Sequence, residues 1–114
     1  MILTLNATPG QSIYLIAEVT DGYYQTRIDA PSEPTLDFIL KPDGTTISGY
    51  PANTTKIATG LYRIAVTMPT GSTAVGTYIA SLHWLYPLDV SIIQFLTYVV
   101  NVTLPFGNSS IRPA

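Results

Sequence analysis

The chain has 114 residues, of which only 11% are charged, with a formal net charge of −2 and no cysteine. About 25% charge is usual for a globular domain, so this single domain, with its mean hydropathy of +0.29, has apolar surface to hide. Its basic residues, Arg27, Lys41, Lys56, Arg63 and Arg112, are scattered, which argues against a nucleic-acid partner, and the missing thiols exclude disulfides and thiolate metal sites.

The opening "MILTLNATPG" has neither a basic nor a long apolar region, so no secretory signal is expected. Its segment Ile2 to Asn6 reads as a short strand closed by Pro9-Gly10. "SIYLIAEVT" follows with Ile13, Leu15, Ala17 and Val19 on one face and Tyr14, Ile16, Glu18 and Thr20 on the other. Such alternation is the mark of a half-buried strand. A long loop, "DGYYQTRIDAPSEP", carries Tyr23 and Tyr24. In "TLDFILK" the period of two groups Leu36, Phe38 and Leu40 against Asp37, Ile39 and Lys41. "KPDG" suits a type I turn, with proline presetting φ and glycine at the fourth position.

"TTIS" and "TKIA" are weaker strand candidates on either side of "GYPAN", the loop of Tyr50. "LYRIAVTM" turns Tyr62, Ile64, Val66 and Met68 inward, and "GTYIASLHWL" groups Tyr78, Ala80, Leu82 and Trp84. Nine prolines and a high content of β-branched and aromatic residues leave no window for a helix. About seven strands at roughly ten-residue spacing predict an all-β antiparallel sandwich.

The last strand, "SIIQFLTYVVNV", is apolar on both faces. Val90, Ile92, Leu96, Tyr98, Val100 and Val102 share one side and Ile93, Phe95 and Val99 the other. Pro87, Asp89, Ser91 and Gln94 make the region too polar for a membrane-spanning helix. The even series is expected to join Tyr78, Leu82, Trp84, Ile64, Val66, Leu15 and Phe38 in the core. The odd series, with Ile79 and Leu85, forms an outer patch that a neighbouring subunit covers. Tyr23 and Tyr24 from the loop, and Phe106 and Ile111 from the C-terminal "LPFGNSSIRPA", complete the expected partner-binding set.

Catalysis, metal and cofactor find no support in the motifs. His83 is the single histidine, and Ile79, Ser81 and Leu85 beside it offer no paired base or nucleophile. The aspartates are too dispersed for a calcium loop, and the glycines lie in turns without a phosphate-binding lysine. Asn6, Asn53, Asn101 and Asn108 each open an N-x-Ser/Thr triplet, read mainly as composition. Trp84, Tyr50 and Tyr86, with Tyr23 and Tyr24, could form an aromatic platform for sugars or for a protein partner.

"AVGTYIAS" resembles the immunoglobulin-like segment in which a tyrosine near the start of the penultimate strand bonds back to nearby backbone; here that residue is Tyr78. The chain departs from the antibody pattern at Ala74, Ala80 and in lacking a tryptophan on the third strand. "TPGQSIYLIAEV", "KPDGT", "TGLYRIAVTMPTGSTAVGTYIASL" and "VNVTLPFGNSS" together resemble small immunoglobulin-like virion proteins of tailed bacteriophages. That resemblance implies a non-enzymatic capsid decoration, or cement, protein, made in the host cytoplasm and sited on the capsid exterior. Its partners would be the major capsid protein and sibling copies in a homo-oligomer such as a trimer, with Met1 to Pro9 and Pro105 to Ala114 as docking arms. The alternative is an immunoglobulin-like tail or fibre module that binds host glycans through its tyrosine-bearing loops.

Overall fold

Alternating β-branched and aromatic residues between glycine and proline corners give a chain of short strands. In a computed structural model that describes residues 1–22 and 26–104, these are β1 (Ile2–Ala7), β2 (Ser12–Glu18), β3 (Thr35–Leu40), β4 (Ala52–Asn53), β5 (Thr55–Ala58), β6 (Leu61–Thr67), β7 (Gly76–Tyr86) and β8 (Asp89–Val102). The larger sheet has the order β1-β8-β7-β3-β4 and the smaller the order β2-β6-β5. The only helical element among the described residues is a 3-10 turn, Ser72–Ala74.

The two sheets form an all-β sandwich around one core. Leu15, Ala17, Val19, Tyr62 and Val66 come from the smaller sheet, and Leu36, Ile39, Tyr78, Leu82, Trp84, Leu96, Tyr98 and Val100 from the larger. Ile64 packs against this core without being fully covered. Burying a large apolar side chain contributes about 1.5–3 kcal/mol, and the core has no buried side-chain polar atom without a partner among the described residues.

Two bonds join the layers. The Tyr98 hydroxyl reaches the edge of β2, donating to the Ile16 carbonyl (2.6 Å) and accepting from the Ile16 N–H (3.1 Å). The corner at Gly60 requires glycine. Its φ is +68°, and a Cβ there would lie 2.7 Å from the Val19 carbonyl oxygen.

Several expectations need correction. First, the sandwich is mixed: β1 runs parallel to β8, from Ile2 opposite Thr97 to Ala7 opposite Val102. It follows that Met1 to Pro9 are not a free arm, because most of that segment is an integral strand. "TTIS" contributes only a bridge, Thr46 to Leu40. Second, Phe38 is not in the core. A register shift in β3 between Leu36 and Phe38 reverses the parity, so Ile39 is buried while Phe38 is 39% exposed.

Third, Val90 and Ile92 do not continue the inward series of β8. Tyr86 pairs with Asp89, but the next pair is Leu85 with Ile93, so Val90, Ser91 and Ile92 bulge out of the ladder. The Asp89 carboxylate holds that bulge by accepting from the Ser91 N–H (3.1 Å) and hydroxyl (2.6 Å). The described residues form eight strands, in keeping with the expected number of about seven, the shortest being the two-residue β4. The "KPDG" turn forms as expected, with the Gly44 N–H donating to the Lys41 carbonyl (3.0 Å).

Candidate functional site

Side chains alternate across a strand, so the outer face of the larger sheet can be read from its cross-strand pairs. Ile79 lies opposite Val99, His83 opposite Phe95, and Leu85 opposite Ile93. The five residues expected to bind a partner on these strands, Ile79, Leu85, Ile93, Phe95 and Val99, therefore sit together on one face. Phe95 is 59% exposed and Ile93 51%, while Leu85 and Val99 are half-buried. The bulge in β3 adds Phe38, which pairs with Ser81, and β1 adds the exposed Ile2, opposite Thr97. Sequence periodicity could not place Phe38 here, because a bulge leaves no mark in an apolar alternation. Tyr23, Tyr24, Phe106 and Ile111 lie outside the described residues.

Polar residues cross this face at the Ser81–Thr97 pair and, beside it, at one ionisable pair. His83 Nδ1 lies 2.8 and 2.9 Å from the two carboxylate oxygens of Asp37, and the imidazole meets the Phe95 ring at 6.3 Å between centroids. Sequence reasoning missed Asp37 because 46 residues separate it from His83; the β3 bulge brings it within reach. A carboxylate that orients an imidazole is two parts of a nucleophile-activating arrangement, which needs a hydroxyl or thiol as its third. Among the described residues His83 makes no hydrogen bond to such a group.

The other polar groups hold the fold. Asp29 accepts from Lys56 (2.7 Å) and the Gly60 N–H (2.9 Å), and these bonds lower its pKa below the ordinary 3.8. Arg27 pairs with Glu18 at 2.7 Å. No group of three His, Cys, Asp or Glu among the described residues could hold a metal. The aromatic platform does not assemble from the described residues. Trp84 is buried and donates through Nε1 to Gln94 (2.8 Å), Tyr86 donates to the Asp21 carbonyl, and Tyr50 packs on the core. Of the Asn-x-Ser/Thr asparagines, Asn53 and Asn101 accept from Thr35 and Thr77 on neighbouring strands.

At the end of the sandwich where β1 begins, the sheets part around a cleft of about 830 Å³. Met1 and Leu3 of the first strand, Phe95, Leu96 and Tyr98 of β8, and Ile16 and Glu18 of β2 line it, with Trp84 and Gln94 deeper along the hairpin. Beyond the Thr35–His83 and Ile2–Thr97 pairs, β7 and β8 continue without a described strand on either side. Leu88, Val90, Ile92 and Ile93 are exposed on that projecting ribbon.

No protein-family model matches the chain, and no curated protein matches it either.

Proposed function

We propose that the chain is a non-enzymatic structural protein that works by burying the outer face of its larger sheet on neighbouring subunits. The observation that carries this reading is the apolar patch of Phe38, Ile79, Leu85, Ile93, Phe95 and Val99, in which Phe38, Ile79, Ile93 and Phe95 are exposed and Leu85 and Val99 half-buried. Contiguous exposed apolar surface marks interaction sites in soluble proteins. The Asp37–His83 pair and the cross-strand neighbours Ser81 and Thr97 interrupt it.

The assembly we favour is a tailed-phage capsid, with the chain as an immunoglobulin-like decoration protein that cements the shell. Two features of the fold support an immunoglobulin-like assignment. The strand order is that of a sandwich in which the last two strands and the third share a sheet, with the second, fifth and sixth opposite. The Tyr78 hydroxyl donates to the Ala74 carbonyl at 2.7 Å, which is the backbone-tethering tyrosine that the "AVGTYIAS" segment implies. The capsid itself rests on the sequence resemblance, with the major capsid protein and sibling copies as partners.

Particles stripped of this protein and mixed with it test the reading. The native chain should rebind and raise the temperature at which the shells open. Ile79→Asp should stay folded yet fail to bind, because an unpaired charge buried at an interface costs several kcal/mol. Binding to shells unchanged by that substitution would remove the patch from the interface.

A further inference from the structure

The projecting part of β8 is also a strand edge. Backbone groups alternate sides along a strand, and on β8 the odd residues face β1: Thr97 N–H donates to the Met1 carbonyl and Thr103 N–H to that of Ala7. Ile93 and Phe95 therefore turn their N–H and C=O groups the same way, but β1 starts one step too late to meet them. Nothing among the described residues takes its place. Edges of soluble sheets are commonly blunted by lysine, by proline or by other charges. Ile93 to Leu96 has none of these, reading Ile-Ile-Gln-Phe-Leu from Ile92.

We infer that this edge is a strand-addition site, and that its occupant is the same stretch of a second copy of the chain. The inference rests on the reading above, that the protein works by covering apolar surface on neighbours, and specifies one of those contacts. The free stretch is complementary to itself. Two identical edges related by a two-fold axis pair antiparallel, and with Gln94 opposite its counterpart, Ile93 of each copy meets Phe95 of the other. Both residues point their backbone groups outward, so each Ile93–Phe95 pair exchanges two hydrogen bonds, four in all. The two larger sheets become one continuous sheet.

Three other features fit this occupant. The site carries no net charge to select a basic or acidic partner, since Glu18 and Arg27 at the cleft rim neutralise each other. In the antiparallel register Ile92 of one copy comes beside Met1 of the other, so the paired stretch ends at Ile93, where the Val90–Ile92 bulge leaves the β7–β8 ladder. The tip of each hairpin, Leu88 and Val90, then lies against the exposed Met1 and Ile2, which are 84% and 70% accessible. Leu88, Val90, Ile92, Ile93 and Phe95 are 47–59% exposed, and complete cover of them in both copies would remove at most about 1,000 Å², the lower bound for a specific interface.

Sedimentation equilibrium of the full chain tests this together with two variants at one position. The native chain should be dimeric. Phe95→Val keeps the edge N–H and an apolar side chain and should remain dimeric. Phe95→Pro removes an N–H that faces away from β7, a position where an edge strand tolerates proline, and should leave a folded monomer. Should Phe95→Pro not fold, a thiol placed by Gln94→Cys decides. Non-hydrogen-bonded antiparallel partners stand about 4.5 Å apart at Cα, within disulfide reach, and the chain has no other cysteine. Mild oxidation should cross-link Gln94→Cys and leave Ser91→Cys uncrosslinked. A monomeric native chain, a dimeric Phe95→Pro, or equal cross-linking of both thiol variants overturns the inference. Ile79→Asp separates it from the wider reading: that change should abolish binding to shells and leave the dimer intact.

Discussion

The two halves of the β7–β8 hairpin share one ladder and have opposite surroundings. Around Tyr78 and Val100 the hairpin is flanked by β1 and β3 and covered by the smaller sheet, and its inward residues are almost wholly buried. Around Leu85 and Ile93 no described strand flanks it, and among the described residues it stands as a two-stranded ribbon. Side chains of the same apolar type end in water there. Alternation tells which residues share a face; it does not tell whether a second layer lies against that face. Apolar content without a described layer to cover it is what the proposed contact with other molecules rests on.

Substitutions along β8 can break this comparison. The largest effect is expected from Leu96→Asp, at the last buried position before the ribbon. A charge placed at this 4% exposed site without a partner should cost more than about 3 kcal/mol, and circular dichroism should find the isolated domain unfolded. In the covered half, Tyr78→Phe removes the bond to the Ala74 carbonyl and leaves that buried acceptor unpaired. A loss of about 1–2 kcal/mol is expected in urea unfolding.

Alkaline titration sharpens the same contrast. Burial raises the pKa of Tyr78 and of Tyr98 above the ordinary 10.0, with Asp43 adding to the rise at Tyr78 and the Ile16 bond partly opposing it at Tyr98. The folded state thus holds these phenols neutral while the unfolded chain ionises near 10. Their contribution is complete below that pH and is lost as the pH climbs past it. Melting temperature should fall above about pH 10, and less steeply in Tyr98→Phe. In the bare half, Phe95→Asp should change the stability of the isolated monomer by no more than about 0.5 kcal/mol, while weakening both self-association and binding to shells. The smallest effect belongs to His83→Ala. Its pair with Asp37 is about one-third exposed, and such pairs contribute about 0–1 kcal/mol, so thermal unfolding should barely move.

Most of the fold was legible because glycine and proline punctuation and strict alternation act locally. The strands of Leu15, Tyr62 and Tyr78, the Lys41–Gly44 turn and the Tyr78 tether all follow from neighbours within a few residues. The outer patch was legible for the same reason: once β7 and β8 pair, Ile79, Leu85, Ile93, Phe95 and Val99 must share a face. What escaped were departures from regular pairing. A bulge costs the sequence no turn residue, so Phe38 and Ile39 exchanged places unannounced, and Val90 and Ile92 both left the inward series. The parallel partnership of β1, the Asp37–His83 pair and the cleft depend on strands far apart in the chain, for which no local pattern exists.

The parallel pairing of β1 with β8 also orders events during synthesis. Ile2 leaves the ribosome 95 residues ahead of Thr97, its partner in the register. At roughly 5–20 residues per second, that is a wait of about 5–20 s. In the larger sheet β1 pairs with β8 alone, whereas β7 can already pair with β3, so β1 cannot take its final place earlier. The docking of β1 on β8 is therefore a late, long-range step, with loop-closure entropy paid before the contacts reward it. Nascent copies on one messenger would meanwhile hold unpaired apolar strands side by side, and an interruption of translation before Thr97 would leave a product unable to finish its sheet.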